Sequence, residues 1–480
     1  MAGIRSYGVS VPVHRMERRR IAEAHGRPGR DGWKAVANCD EDSVTLAVAA
    51  ATDALGGPLA QDLRSVLLAS TTLPYGEKLC ATVLSAVLDL KGDVRTSDVS
   101  GSLRCASSAL LAAADAVRGG GAALVAAADC RSALPDGENE LLFGDGAAAF
   151  IVGEEPGVAE IIGSYSVSRD FHDQWRPAGD PYVKGWEERF ALVRQQAVVL
   201  QAALSGLLER TGLAADDFAA VVLYAHSAKH QAELAQTLGF RPDRIRSGLL
   251  DEIGCAGAAC APLMLCEALE KAEPGDRILY LGYGEGCDAI AFRVTDAMRS
   301  HPARWALALG RRTRPLEYVR YLRWRKVIPI EPPRRPPQRR PSLPESDRNR
   351  DRNLALYGSR CTDCGTLQFP GARICLRCRS IDHSVPQRLS GRTGVIATYT
   401  VDSISASEDP PNVVAVVDLP DDVRMFCALT DCGPDDVSVG QTVELVLRRL
   451  HTVDGIRTYS WKGVPRDAGG AQGAEGRAHG

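Results

Sequence analysis

Phe143-Gly-Asp-Gly-Ala-Ala-Ala-Phe150 is a tight glycine turn running straight into an apolar strand. On its own such a turn is common, and what flanks it decides the fold. Short β-rich runs at Ser65 to Leu68, Ala123 to Ala127, Ala147 to Val152, Ala220 to Tyr224 and Arg277 to Leu281 alternate with alanine-rich stretches. Val44 to Ala54, Ala106 to Val117 and Val198 to Arg210 carry apolar residues at helical spacing. Alternation of this kind implies a central sheet covered by helices on both faces. Arg118-Gly-Gly-Gly121 and Lys271-Ala-Glu-Pro-Gly-Asp-Arg277 each precede a strand in corresponding places. That repetition points to an internal duplication, with halves 1–155 and 156–297.

The chain changes character after residue 297. Residues 312–327 read as one helix whose Arg320, Arg323, Arg325 and Lys326 form a basic face around Tyr318, Tyr321 and Trp324. That face is either a docking surface or a cradle for an anionic ligand such as a CoA phosphate. EPPRRPPQRRPSLPE follows, with six prolines in fifteen residues, so 298–354 is expected to be a helix and an extended linker. Cys361-x-x-Cys364 and Cys375-x-x-Cys378 then present two thiolate pairs at the spacing a tetrahedral zinc ion requires. Four thiolates leave no open coordination position, so such a zinc is structural. Residues 355–385 are accordingly a zinc ribbon. In 386–467, VIATYTV, VVAVVDL, MFCALTD and TVELVLRRL are short strands split by Asp, Gly and Pro turns, the pattern of a small antiparallel barrel. The tail 468–480 is expected to be disordered.

Composition narrows the function classes. With 480 residues the chain is long enough for two or three domains. A net charge of −3 gives no reason to expect nucleic acid as partner. The barrel segment is sparse in aromatic residues beside basic ones and holds the acidic Asp409 and Asp418 to Asp422, against the same idea. No long apolar run stands out as a membrane span, and the first residues lack a signal-peptide core, so no membrane partner is expected. Fourteen cysteines are then best read as reduced thiols and metal ligands in a cytoplasmic protein.

Several further motifs follow the opening turn in order: Asp173-Gln-Trp-Arg176, Tyr224-Ala-His226, Leu238-Gly239, Ile253-Gly254, Pro274-Gly-Asp-Arg277 and Gly282-Tyr-Gly-Glu-Gly286. Together they resemble the thiolase superfamily over residues 2–297, closest to hydroxymethylglutaryl-CoA synthases of the archaeal and bacterial kind. The initiating ketoacyl-carrier-protein synthases are a more distant match. Residues 355–465, with Gly365, Pro370, Gly391 and Gly394, are similar to the zinc-ribbon plus OB-fold family that accompanies such enzymes. The resemblance implies a duplicated five-layered αβαβα fold, usually a homodimer and in places part of a larger multienzyme complex. It implies an acyl-CoA or acyl-carrier-protein substrate delivered through a pantetheine tunnel, with the small module covering the tunnel mouth or passing substrate between partners. Three groups do the family's chemistry: a cysteine nucleophile at a strand-to-helix elbow, a histidine with an asparagine on the thioester oxygen, and a glutamate base.

This sequence departs from that pattern. The elbow lies in Asp98-Val-Ser-Gly-Ser-Leu-Arg-Cys-Ala-Ser-Ser-Ala-Leu110, where counting from both ends puts Leu103 at the nucleophile position. Cys105 is two residues on, roughly 200° around a helix; it is either a displaced nucleophile or a packed thiol. Thr71 stands at the glutamate position and Cys255 at the asparagine position. His226 is retained, with His230 as a neighbour on the helix that follows. Leucine cannot be acylated and threonine is no base near neutral pH. The reading is therefore an acyl-CoA-dependent enzyme that makes or breaks a carbon–carbon bond with a non-standard site. It works either as an acyltransferase through Cys105 or as a retro-aldol lyase that forms no covalent intermediate. Tyr283, Tyr75, Cys255 and Cys105 are the candidate proton carriers. A non-catalytic acyl-CoA-binding or scaffolding partner of a synthase is the alternative from a different class.

Overall fold

The structure is a computed structural model that describes residues 2–56, 62–155, 157–246, 248–331, 338–405 and 407–466. The chain divides into two compact units, Met1–Ile328 and Pro329–Gly480.

The first unit is built on a sheet of nine strands: β1 Gly3–Ser10, β2 Leu63–Ala69, β3 Arg95–Val99, β4 Ala122–Cys130, β5 Asp145–Gly153, β6 Ala159–Ser168, β7 Ala220–Leu223, β8 Arg277–Tyr283 and β9 Gly286–Val294. Their spatial order is β7-β8-β9-β6-β1-β5-β4-β2-β3. The two sides of that order repeat one another. From β1, strands β5 and β4 pair antiparallel and β2 and β3 parallel. From β6, strands β9 and β8 pair antiparallel and β7 parallel. The place of a fifth strand on this side is taken by Ile245, through one parallel bridge to Val221. Between the halves, β1 and β6 share only Gly3↔Glu160 and Ile4↔Ala159.

The central strands are buried on both faces, which is why β4 and β5 read as continuous apolar runs rather than alternating ones. Helices Ser43–Ala54, Cys105–Ala116, Ala197–Thr211 and Cys260–Lys271 supply the covering layers. Their alanines permit close approach: the core includes Ala47, Ala50 and Ala51 of the first and Ala109 and Ala113 of the second, all fully buried.

Three expectations are corrected here. The helix expected over 312–327 is confined to Tyr318–Trp324. Arg314–Pro315 instead pairs as a short parallel strand with His14–Arg15, and Lys326 ends the helix with a positive φ of 56°. Tyr321 and Trp324 are buried within the first unit, and Arg325 pairs with buried Asp145. Part of the expected basic face is therefore spent on an internal carboxylate. Second, the stretch expected as linker holds two short helices, Leu343–Arg348 and Arg350–Leu354; residues 332–337 lie outside the described residues, as does the expected tail 468–480. Third, the helical run Glu188–Thr211 does reach the length and apolarity of a membrane span, although 56% of its apolar window is buried inside the fold. Its Val199, Leu200, Ala203, Leu204 and Leu207 belong to the core.

In the second unit, Tyr357–Cys361 pairs with Leu367–Gln368 and Ser384–Arg388. A five-stranded antiparallel sheet follows, formed by Thr393–Asp402, Asn412–Leu419, Val423–Ala428, Thr442–Val453 and Ile456–Pro465. A bridge from Leu429 to Gly463 curls one edge toward the other, giving the barrel-like OB-fold. Asn412–Leu419 alternates buried and half-buried residues, as a sheet with one inner face requires.

Candidate functional site

Six segments end together at the carboxyl ends of the parallel strands, where α/β sheets place ligands. They are Ser70–Thr72 after β2, the elbow after β3, Asp129–Arg131 ending β4, Tyr224–His226 after β7, Ile253–Ala258, and Gly282–Gly286 ending β8.

The opening glycine turn holds one of them. Gly144 N donates to Cys255 O (3.1 Å) and Cys255 N to Leu142 O (2.7 Å). A Cβ on Gly144 would fall 1.8 Å from Ile253 O, so only glycine admits this contact. The motif thereby fixes the backbone of Cys255. The thiol of Cys255 is fully buried, 3.5 Å from Tyr224 Oη, which in turn lies 3.2 Å from His226 Nδ1. Tyr283 stacks on Tyr224, with ring centres 6.1 Å apart and planes at 20°. His230 meets His226 edge to face at 6.1 Å; burial, then the neighbouring His226, pulls its imidazole below the usual range.

The cysteines divide sharply. Burial raises the thiols of Cys80, Cys105, Cys130, Cys266 and Cys287 above the ordinary value, and Cys260 is raised first by its interaction with Cys255 and then by burial. Cys255 goes the other way. A hydrogen bond from Cys260 holds its thiol well down against the opposing effect of burial, with help from His226 and Arg131. Tyr224, buried in the same cluster, is held protonated.

Asp129 ties the two halves of the site together. It is fully buried and accepts five hydrogen bonds. Oδ1 takes Ser70 Oγ (2.9 Å), Thr71 N (2.8 Å) and Thr72 Oγ1 (3.0 Å), and Oδ2 takes Thr71 Oγ1 (2.7 Å) and Ala258 N (2.8 Å). The Asp173-Gln-Trp-Arg176 motif adds three more ties. Tyr283 donates to Asp173 (2.8 Å), Arg131 to Gln174 (2.7 Å), and Arg176 to Thr71 O (2.6 Å).

At the elbow, Leu103 lies half-buried in the turn before the helix Cys105–Ala116. Cys105 is 3% exposed inside the core, its thiol raised by burial and by the charge of Asp129. Thr71 spends its hydroxyl on Asp129. Gly284 sits against the elbow, its would-be Cβ 2.5 Å from Ser102 Oγ and 2.6 Å from Arg104 N. Tyr283 is buried and donates to Asp173; burial and that carboxylate raise its phenol. Tyr75 lies on the loop after β2 with the Lys78 ammonium 5.3 Å from its ring centre. The cluster therefore brings His226, Cys255 and Tyr283 together, while Cys105 turns into the core. Sequence reasoning assigned no role to Asp129, Arg131 or Cys260. An aspartate closing an apolar strand reads as an ordinary strand end.

In the second unit the thiols of Cys361, Cys364, Cys375 and Cys378 lie within 4.8 Å of one another. Cys361 and Cys378 are 3.6 Å apart, and Cys364 and Cys375 3.5 Å. A zinc tetrahedron with bonds near 2.3 Å requires an edge of about 3.8 Å, so this set fits one. Ser380, bonded to Cys361, draws that thiol down to about 6.

Comparison with known proteins agrees with both units. Residues 208–294 match the family model for the C-terminal domain of 3-oxoacyl-[acyl-carrier-protein] synthase III. Residues 387–448 match the C-terminal OB-fold domain of ChsH2. Hydroxymethylglutaryl-CoA synthase of Aeropyrum pernix is 34% identical over 312 residues, covering 62% of this chain and 86% of the relative. A crystal structure of HMG-CoA synthase complexed with CoA superimposes with a TM-score of 0.62 at 21% identity, over 67% of this chain and 89% of the other. The HMG synthase of the curacin biosynthetic pathway, in complex with an acetyl donor carrier protein, gives 0.59 at 21% identity, over 68% and 88%.

Proposed function

Because this chain belongs to the hydroxymethylglutaryl-CoA synthase family, with a C-terminal OB-fold domain added, we propose that it uses acyl-CoA or acyl-carrier-protein thioesters to make or break a carbon–carbon bond. The observation that carries this reading is the meeting of His226, Tyr224 and Cys255 at the strand ends, in a fold shared with thiolase-superfamily condensing enzymes. In this reading Tyr224 holds His226 Nδ1, and Nε2 donates to the thioester oxygen. Charge that develops on that oxygen, in an enolate or a tetrahedral intermediate, is stabilised by a donor already in place and shielded from water.

Carbon–carbon condensation is favoured as the direction by the family; aldol-type cleavage uses the same enolate run backwards. Neither needs an acyl group on Leu103 or on the core thiol of Cys105. In the second unit, the four clustered thiols would hold a structural zinc ion and supply no open position for substrate. A cytoplasmic setting fits fourteen cysteines that form no disulfide, and a homodimer is the assembly that the resemblance implies.

The test is product analysis by mass spectrometry after incubation with acetyl-CoA and acetoacetyl-CoA, wild type against His226→Ala. A new or cleaved acyl-CoA that falls by about 100-fold or more in the variant supports the reading. The departures at Leu103 and Thr71 also motivate the scaffolding alternative. Thioester binding with no product in wild type, and equal behaviour of the variant, would favour it.

A further inference from the structure

At the elbow Leu103 is half-buried and Cys105 turns into the core, yet one buried thiol in the same site is arranged as a nucleophile. We propose that Cys255 is the residue acylated by the thioester, so that the nucleophile has moved from the elbow after β3 to the loop pinned by the Phe143–Phe150 turn. This rests on the thioester chemistry proposed above and assigns its covalent step.

Four observations converge on Cys255. Its main chain is clamped on both sides by Leu142 and Gly144, so the thiol is held in one place, as a nucleophile must be. A line of polar atoms runs from Cys255 Sγ to Tyr224 Oη at 3.5 Å and on to His226 Nδ1 at 3.2 Å, the nucleophile, relay and base of an activated thiol. Cys260 opens the twelve-residue helix Cys260–Lys271, and its thiol is the largest influence lowering that of Cys255. Arg131, itself 4% exposed and fixed by Gln174, adds positive charge. With Cys255 ionised, the donors line up without conflict: His226 Nδ1–H to Tyr224 Oη, and Tyr224 O–H to the sulfur. The depressed thiol of Cys255, in a unit where burial raises Cys80, Cys105, Cys130, Cys266 and Cys287, agrees with that arrangement.

The step balances. The Cys255 proton passes through Tyr224 to His226. The sulfur lone pair forms a bond to the thioester carbonyl carbon, and the imidazolium stabilises the resulting oxyanion. The carbon–sulfur bond to CoA then breaks, its electron pair leaving on the CoA sulfur, which takes the proton back. The acyl group remains on Cys255, free to be enolised or attacked.

The experiment is incubation of the full chain with acetyl-CoA, acetoacetyl-CoA and butyryl-CoA, acid quench, intact mass and peptide mapping. One acyl group per chain, mapped to Cys255, is the expected result. Cys105→Ser should retain it, Cys255→Ser should lose it, and Tyr224→Phe should slow its formation on the order of 100-fold. Circular dichroism of each variant checks folding, and mapping of the wild type stands even if a variant fails to fold. An acyl group on Cys105 or any other residue overturns the proposal. So does turnover of the thioesters to carbon–carbon products with no adduct on Cys255, an outcome that leaves the broader function intact. If no thioester is bound or consumed, both proposals fail together.

Discussion

Asp129→Asn is the substitution whose cost the structure fixes most tightly. The change keeps size and shape but turns one acceptor oxygen into an NH2 group. Oδ1 accepts three hydrogen bonds and Oδ2 two, so the amide nitrogen settles where Oδ2 stood. Thr71 can rotate its hydroxyl to accept from it. Ala258 cannot, because its donor is a backbone N–H, and two donors then face each other in a fully buried site. Losing one hydrogen bond to a charged group is worth about 1.5–3 kcal/mol, and the stranded donor adds about 1–3. The sum, about 2.5–6 kcal/mol, should lower the unfolding temperature of the first unit by roughly 4–10 °C in scanning calorimetry. Ser70→Ala removes one donor to the carboxylate and the acceptor of the half-buried Thr72 N–H (3.0 Å), so it should cost about 1.5–3 kcal/mol, less than the change at Asp129. An Asp129→Asn protein within about 1 °C of wild type would refute the claim that this carboxylate joins the segments bearing Thr71 and Cys255.

Three other outcomes follow from particular contacts. Gly144→Ala puts a methyl group against the Ile253 carbonyl; it should destabilise the unit by at least about 3 kcal/mol, and ordinary stability in denaturant titration would contradict the packing described. Burial, with Arg325 nearby, lowers the Lys34 ammonium to about 7. Below about pH 7 it carries its proton in both states; between about 7 and 10.5 only the unfolded chain holds it, so stability should rise with pH, by at most about 1.4 kcal/mol per unit, and Lys34→Met should flatten that slope. A strong zinc chelator should unfold the second unit's ribbon while the first unit keeps its far-ultraviolet dichroism; joint loss of both signals would contradict independent units.

What was legible in the sequence followed from local pattern. The runs forming β4 and β5 are apolar throughout because both faces are covered, and the helix faces repeat at the spacing the sheet demands. The zinc-ligand spacing is a short-range signal, and the four thiols do cluster. The helix after residue 312 was read too long, because its first residues carry helical periodicity yet are captured by pairing with His14 and Arg15, far away in sequence. The site was legible only where a motif spelled it: Tyr224-Ala-His226, Asp173-Gln-Trp-Arg176 and the glycine turns. Asp129 meets Thr71 across 58 residues and Ala258 across 129. No periodicity encodes such a contact. Cys260 likewise reads as one more small apolar residue in an alanine-rich segment until the fold turns it toward Cys255.

The central claim is that His226 and its neighbours activate the carbon beside a thioester. The direct measurement is exchange of the α-hydrogens of acetyl-CoA, and of its longer homologues, in deuterated water, followed by mass spectrometry. The account predicts exchange catalysed by the wild-type chain and lost in His226→Ala. Thioesters that bind yet exchange no faster than in buffer would contradict it.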